Sequence, residues 1–217
     1  MQVIILLGRQ GCGKGTQAKF LTKDFGFSYI GSGELLRNFY EGEHFSARKV
    51  KEVLNKGRYL PSAFIFFIWM EVLEKLKQRQ SLKGILFDGS PRMLLEAQLL
   101  DQALEWYEWP RPSVILIEIS REEAFNRLTK RRMCEKCARV IPLNEETEAL
   151  TNCQTCGGKL IVRPDDTPDA INSRLDLFEE ETLPVIEYYK AKGVLKTVNG
   201  EQGIERVYSA IKFLISN

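Results

Sequence analysis

The sequence predicts an α/β fold, a parallel sheet covered by helices on both faces, and three observations carry that expectation. Near-continuous apolar runs recur at 3–7, 85–87 and 114–117, and such runs read as strands buried on both faces. Helical segments alternate with them along the chain, the order that gives parallel strands joined by crossover helices. The first run leads straight into Gly8-Arg9-Gln10-Gly11-Cys12-Gly13-Lys14-Gly15-Thr16, a glycine-rich loop between a strand and a helix. There, backbone N–H groups can converge on a phosphate and the helix N-terminus adds its positive end. Lys14 offers a point charge to transferable phosphates, and Thr16 a hydroxyl for Mg²⁺. Gly15 follows the lysine, so the hydroxyl comes one place later than in the generic phosphate loop.

In order, the loop is followed by a helix to about residue 25 and a short strand candidate at 27–30. A capped helix start follows at 31–37, then polar helical sequence to Gly57. An apolar helix covers 63–79, and the strand at 85–87 ends in Asp88. A loop, Gly89-Ser90-Pro91-Arg92, precedes a helix over 93–106. The strand at 114–117 leads to a helix over 121–130. Residues 134–156 read as a turn-rich insert, 169–189 as one long helix, 194–198 as a last strand and 203–214 as a final helix. Ligands of such sheets bind at the carboxyl ends of the strands. Gly8, Asp88 and the loop after Ile119 all lie there.

The chain has 217 residues and a formal net charge of +2, enough for one core with small insertions. That balance implies no nucleic-acid or membrane partner. Its start lacks the pattern of a secretion signal, and the longest apolar run, 64–70, is too short to span a bilayer. A cytoplasmic protein is expected. Four of the five cysteines form two pairs, Cys134-x-x-Cys137 and Cys153-x-x-Cys156, separated by residues 138–152. The spacing suits two knuckles of a tetrahedral Cys₄ zinc site, with disulfides or free thiols as alternatives. A nucleic-acid-binding zinc ribbon would look similar locally, but 134–160 has no aromatic residue to stack on a base. Cys12 reads as a small filler of the loop, and His44, the single histidine, as a solvated surface residue.

The ordered set of 8–17, Arg37, Asp88-Gly89, Pro91-Arg92, Arg131-Arg132, the four cysteines, Asp165-Asp166, Arg174 and Val198-Asn199-Gly200 resembles the adenylate kinase family, of the type with a zinc-bearing lid. The resemblance covers nearly the whole chain. It implies transfer of the terminal phosphoryl group of ATP to AMP, giving two ADP, with Mg²⁺ and a structural Zn²⁺. It also implies a monomer whose partners are these nucleotides. Its divisions would be a core of 1–30, 61–129 and 167–217, an NMP-binding insertion at 31–60 and a lid at 130–166. An acceptor phosphate is already ionised, so catalysis needs positioning and charge stabilisation rather than a general base.

By resemblance, Lys14, Asp88, Arg92, Arg131, Arg163 and Arg174 serve the transferring phosphoryl group. Gly11, Cys12, Gly13, Lys14, Gly15, Thr16, Arg127, Arg131, Val140, Ile141 and Gln202 bind ATP. Ser32, Arg37, Arg58, Tyr59, Leu60, Gly89, Ser90, Pro91, Arg92, Glu96, Arg163 and Arg174 bind AMP. Asp165 and Asp166 tie the arginines and lid in place, cap the helix ahead of Pro168, or do both.

The chain departs from the family pattern at four places. Glu34 replaces an Asp, Ser90 a Phe, Gln10 a Pro and Glu96 the Gln that reads the acceptor adenine. A carboxylate at 96 suits the N1 and N2 donors of guanine better than the N1 acceptor of adenine. The alternative for Glu96 is a solvent-facing charge early in its helix. A kinase with relaxed or altered acceptor base, such as GMP, is therefore the second reading. A P-loop NTPase switch or a zinc-ribbon module stands behind both.

Overall fold

The computed structural model describes residues 1–40, 44–137, 139–141, 147–163 and 166–216, without the side chains of Arg37, Asn38, Tyr40 and Asn55. In chain order the first elements are β1 (Gln2–Leu7), α1 (Lys14–Phe25), β2 (Ser28–Gly31), α2 (Ser32–Tyr40), α3 (Phe45–Asn55), α4 (Ser62–Lys77) and β3 (Gly84–Asp88). Next come α5 (Leu94–Trp106), β4 (Ser113–Glu118), α6 (Arg121–Thr129), β5 (Arg132–Cys134), β6 (Val140–Ile141) and β7 (Leu160–Val162). The chain closes with α7 (Pro168–Leu177), a π-helical turn (Phe178–Thr182), α8 (Leu183–Ala191), β8 (Leu195–Asn199) and α9 (Ile204–Ser216).

Five strands form one parallel sheet in the order β2-β3-β1-β4-β8. The apolar runs of the sequence form its centre, because each is covered on both sides. Val3, Ile5 and Leu7 of β1 join one hydrophobic cluster with Ile85 and Phe87 of β3. Ile4 and Leu6 join another with Leu86 and Ile115. Strand order reverses at β1, with β3 on one side and β4 on the other, and this switch point opens the crevice beyond their carboxyl ends.

Two expectations are corrected. Residues 169–189 are not one α-helix: the π-helical turn separates α7 from α8. Pro184 lacks an N–H and its ring crowds the carbonyl four residues back, and the wider turn just before it accommodates that misfit. The insert is more than turns, since β5 pairs antiparallel with β6 and β7. His44 is exposed as expected, and its Nδ1 also caps α3 by accepting the N–H of Ala47 at 3.2 Å.

Candidate functional site

The glycine-rich loop joins β1 to α1. Gly13 caps α1 at φ 97°, a left-handed conformation that a side chain would strain. At Gly8, φ 144°, a Cβ would lie 2.3 Å from the carbonyl oxygen of Ile117, so glycine lets the loop settle against β4. Cys12 is buried in the core cluster beneath the loop, as a filler would be. Lys14 Nζ donates to the carbonyls of Gly8 at 2.7 Å and Arg9 at 3.0 Å, bracing the loop.

Across the switch point, β3 ends in Asp88, whose Oδ2 accepts the Tyr29 hydroxyl at 3.0 Å. A Cβ on Gly15 would lie 3.4 Å from the same oxygen, so this carboxylate stands beside the phosphate loop. The loop 89–92 then fixes Arg92 from several sides. Its Nε donates to Gly89 O at 2.6 Å, its backbone N–H to Glu96 Oε2 at 2.7 Å, and its guanidinium lies 5.2 Å from the Tyr59 ring centroid. The Ser32 and Ser90 hydroxyls bond to each other out of solvent. Glu96 is only 2% exposed, so the solvent-facing alternative is wrong. Burial raises its carboxyl pKa against the opposing pull of the Arg92 backbone N–H.

Arginines gather where the insert meets α7. Arg131 grips Asp166 bidentately, Nε and Nη2 both at 2.7 Å, and Arg174 Nη2 reaches the same carboxylate at 2.9 Å. Burial works against the charge on Asp166, but the two guanidiniums prevail and hold its pKa below the ordinary carboxylate value. Asp166 therefore ties the arginines, and the capping part of its expectation is corrected. Thr167 caps α7, its hydroxyl accepting the N–H of Ala170 at 3.3 Å. Arg127 pairs with Glu123 at 2.6 Å on α6. Asp165 and the side chain of Arg37 lie outside the described residues.

One cleft of about 2460 Å³ connects these groups. Its lining includes residues 10–17 and 88–92, Arg58, Tyr59, Arg127, Arg131, Val140, Arg163, Arg174 and Gln202. Ser32, Leu60, Glu96 and Ile141 are buried but do not line it. A pocket for one small molecule measures roughly 300–1,000 Å³, so the cleft has room for two. Among the described residues thirteen Lys and Arg line it against four Asp and Glu, in a chain whose net charge is +2. The site thus concentrates positive charge that bulk composition hides. Sequence reading missed Arg139, Lys51 and Thr182, which also line it. Arg139 is visible as a cation between the cysteine pairs, whereas Lys51 and Thr182 carry no local signal.

In the insert, the Sγ atoms of Cys134, Cys137, Cys153 and Cys156 all lie within 4.8 Å of one another. Two of the separations are 3.4 Å, for Cys134–Cys156, and 3.8 Å, for Cys137–Cys153. Tetrahedral bonds of about 2.3 Å place sulfurs ~3.8 Å apart, whereas a disulfide needs about 2.0 Å. The Thr155 backbone N–H leads the groups that draw the Cys153 thiol down to about 6, whereas, against the pull of the Gly158 N–H, the neighbouring thiols push Cys156 up to about 12, so the four sulfurs share charge unevenly. The donor set fits a structural metal.

The family profile described as Adenylate kinase matches residues 6–194. The chain belongs to the adenylate kinase family. The adenylate kinase of Carboxydothermus hydrogenoformans is 34% identical over 210 residues, 96% of this chain and 97% of that protein. Those of Caldicellulosiruptor bescii and Staphylococcus epidermidis are each 36% identical, over 93% and 94% of both chains respectively. Family membership accounts for the parallel sheet, the glycine-rich loop and the cysteine cluster together.

Proposed function

We infer that this chain catalyses the reversible, Mg²⁺-dependent transfer of the terminal phosphoryl group of ATP to AMP, giving two ADP, the activity of its family. The observation that carries this reading is a single cationic cleft, large enough for two ligands, with a phosphate loop on one wall and Arg92 on another. A switch or a zinc-ribbon module has no use for such a paired site.

In this reading residues 11–16 bind the ATP phosphates, with Lys14 on the transferring group. Arg92, with Arg37, grips the acceptor phosphate, and Arg58 borders AMP. Arg131, Arg163 and Arg174 stabilise charge in transfer, and guanidinium forks suit phosphate better than ammonium does. Arg127, Val140, Ile141 and Gln202 border the ATP base, while Ser32, Tyr59, Leu60 and 89–91 border AMP. The oxygens of Thr16 and Asp88 would hold Mg²⁺, a hard cation that takes such ligands. Held there, the ion would supply positive charge against the phosphates during transfer. Glu96 contributes by holding the Arg92 backbone, and its buried charge makes GMP the acceptor to set against AMP. The four cysteines would hold Zn²⁺ and stiffen a lid over 130–166, which excludes water during transfer. Residues 31–60 form the NMP-binding insertion and the remainder the core. The working unit is a cytoplasmic monomer.

A coupled assay with ATP against AMP, GMP, CMP and UMP tests the reading. AMP is expected to give the highest kcat/KM. ATP consumption that no monophosphate stimulates would overturn it.

A further inference from the structure

Tyr59, between α3 and α4, touches both walls of the cleft. Its ring lies beside the Arg92 guanidinium, 5.2 Å from centroid to Cζ. Its hydroxyl lies 3.5 Å from Gln10 Nε2 of the phosphate loop and 3.4 Å from Thr182 Oγ1 of the π-helical turn. Thr182 Oγ1 in turn donates to the backbone carbonyl of Arg92 at 3.0 Å. A hydroxyl has one proton. Since Thr182 gives its proton to Arg92, the proton between Tyr59 and Thr182 must come from Tyr59. The Tyr59 oxygen is then free to accept the amide N–H of Gln10. Hydrogen bonds therefore run one way, from Gln10 through Tyr59 and Thr182 to Arg92. Thr182 is only 4% exposed, so water competes weakly for the middle of this chain.

We propose that Tyr59 is a positioning residue for phosphoryl transfer, setting Arg92 in register with the phosphate loop through this chain and through its ring. The proposal rests on the reading of Arg92 as the acceptor grip. The two halves of the side chain have separable tasks. The ring limits the swing of the guanidinium, which governs how well the acceptor is held. The hydroxyl couples the donor loop to Arg92, which governs alignment of the two phosphates in line. It also explains why this chain carries a glutamine in its phosphate loop: Gln10 is the first donor of the series.

Steady-state kinetics with ATP and AMP on the full-length protein test this. Tyr59→Phe keeps the ring and removes the hydroxyl; kcat is expected to fall ~3–10-fold, the worth of one hydrogen bond, with KM for AMP nearly unchanged. Tyr59→Leu removes both, and KM for AMP is expected to rise a further ~3–5-fold. Gln10→Leu alone should lower kcat about as Tyr59→Phe does, and the double variant should be no slower than the worse single one. Wild-type kcat in Tyr59→Phe, or single-variant losses that multiply in the double variant, would overturn the proposal. Thr182→Val breaks the same chain from its other end and replaces any Tyr59 variant whose melting temperature falls. Wild-type protein inactive with ATP and AMP would instead sink the functional reading, so the two failures are distinguishable.

Discussion

The parallel sheet buries two clusters of aliphatic and aromatic side chains, one on each face, including Trp69, Phe87 and Tyr189 on one side and Leu21, Ile115 and Ile211 on the other. The antiparallel insert buries Cys134, Ile141, Cys153 and Leu160 among the described residues. Apolar area drives the first in proportion to what is covered. Four buried residues, with Leu150 and Cys156 partly buried beside them, supply little apolar area for a three-stranded sheet, and two of the four are cysteines. The sheet therefore carries its own stability, whereas the insert has a cysteine cluster that could hold a metal in place of a core. The residues proposed for transfer are divided between the two: the phosphate loop and Arg92 follow strands of the sheet, while Arg131 and Arg163 flank the strands of the insert.

The largest expected effect breaks this contrast directly. Metal bound by four cysteines is worth on the order of 10 kcal/mol of local folding. Chelation is expected to abolish hydrogen-exchange protection in β5–β7 while leaving it in β1, β3 and β4. Equal loss of protection in both sheets would show that the core, too, depends on the metal.

Asp166 joins the two regions, so its removal should be felt next. Asp166→Ala removes the carboxylate that Arg131 and Arg174 share and leaves two guanidiniums facing each other without it. About 3 kcal/mol should be lost, which lowers Tm by roughly 6–12 °C in a chain of this size. The tie is also acid-sensitive in a definite direction. Its folded pKa is depressed, so its stability is fully present above the ordinary value of 3.8 and is lost as pH falls further through the folded value. A wild-type Tm that the Ala variant matches at neutral pH would remove Asp166 from this role.

Lys14 opens α1 and Arg92 stands in the loop after β3, both lining the cleft outside the hydrophobic clusters. Lys14→Ala and Arg92→Ala should each lower kcat by at least ~10², about 2.7 kcal/mol, with Tm nearly unchanged. Near-wild-type turnover in either would refute the assignment.

Much of this contrast was legible in the sequence. The sheet announces itself because strands buried on both faces are apolar at every position, and the glycine-rich loop because its spacing is local. The cysteine pairs were legible for the same reason. The strands of the insert were not, since β5 and β7 have three residues each and β6 two, too short to show alternation. The π-helical turn was missed although Pro184 marks it, because a proline in the sequence does not say which way the helix will yield. The series from Gln10 through Tyr59 and Thr182 to Arg92 joins four distant stretches of chain, and no window of sequence contains it.

The smallest expected effect sharpens the acceptor side. Glu96→Gln keeps an oxygen for the Arg92 N–H and removes a buried charge, so Tm should hold or rise slightly. The AMP-to-GMP ratio of kcat/KM should rise by ~10-fold if residue 96 also reads the base, and an unchanged ratio would confine it to holding Arg92.

Transfer between two nucleotides in one cleft has a direct signature in the stoichiometry of the products. With Mg²⁺, ATP and AMP supplied together, two ADP should form for each AMP consumed, with no inorganic phosphate beyond the background. Release of phosphate from ATP while AMP remains unchanged would contradict it.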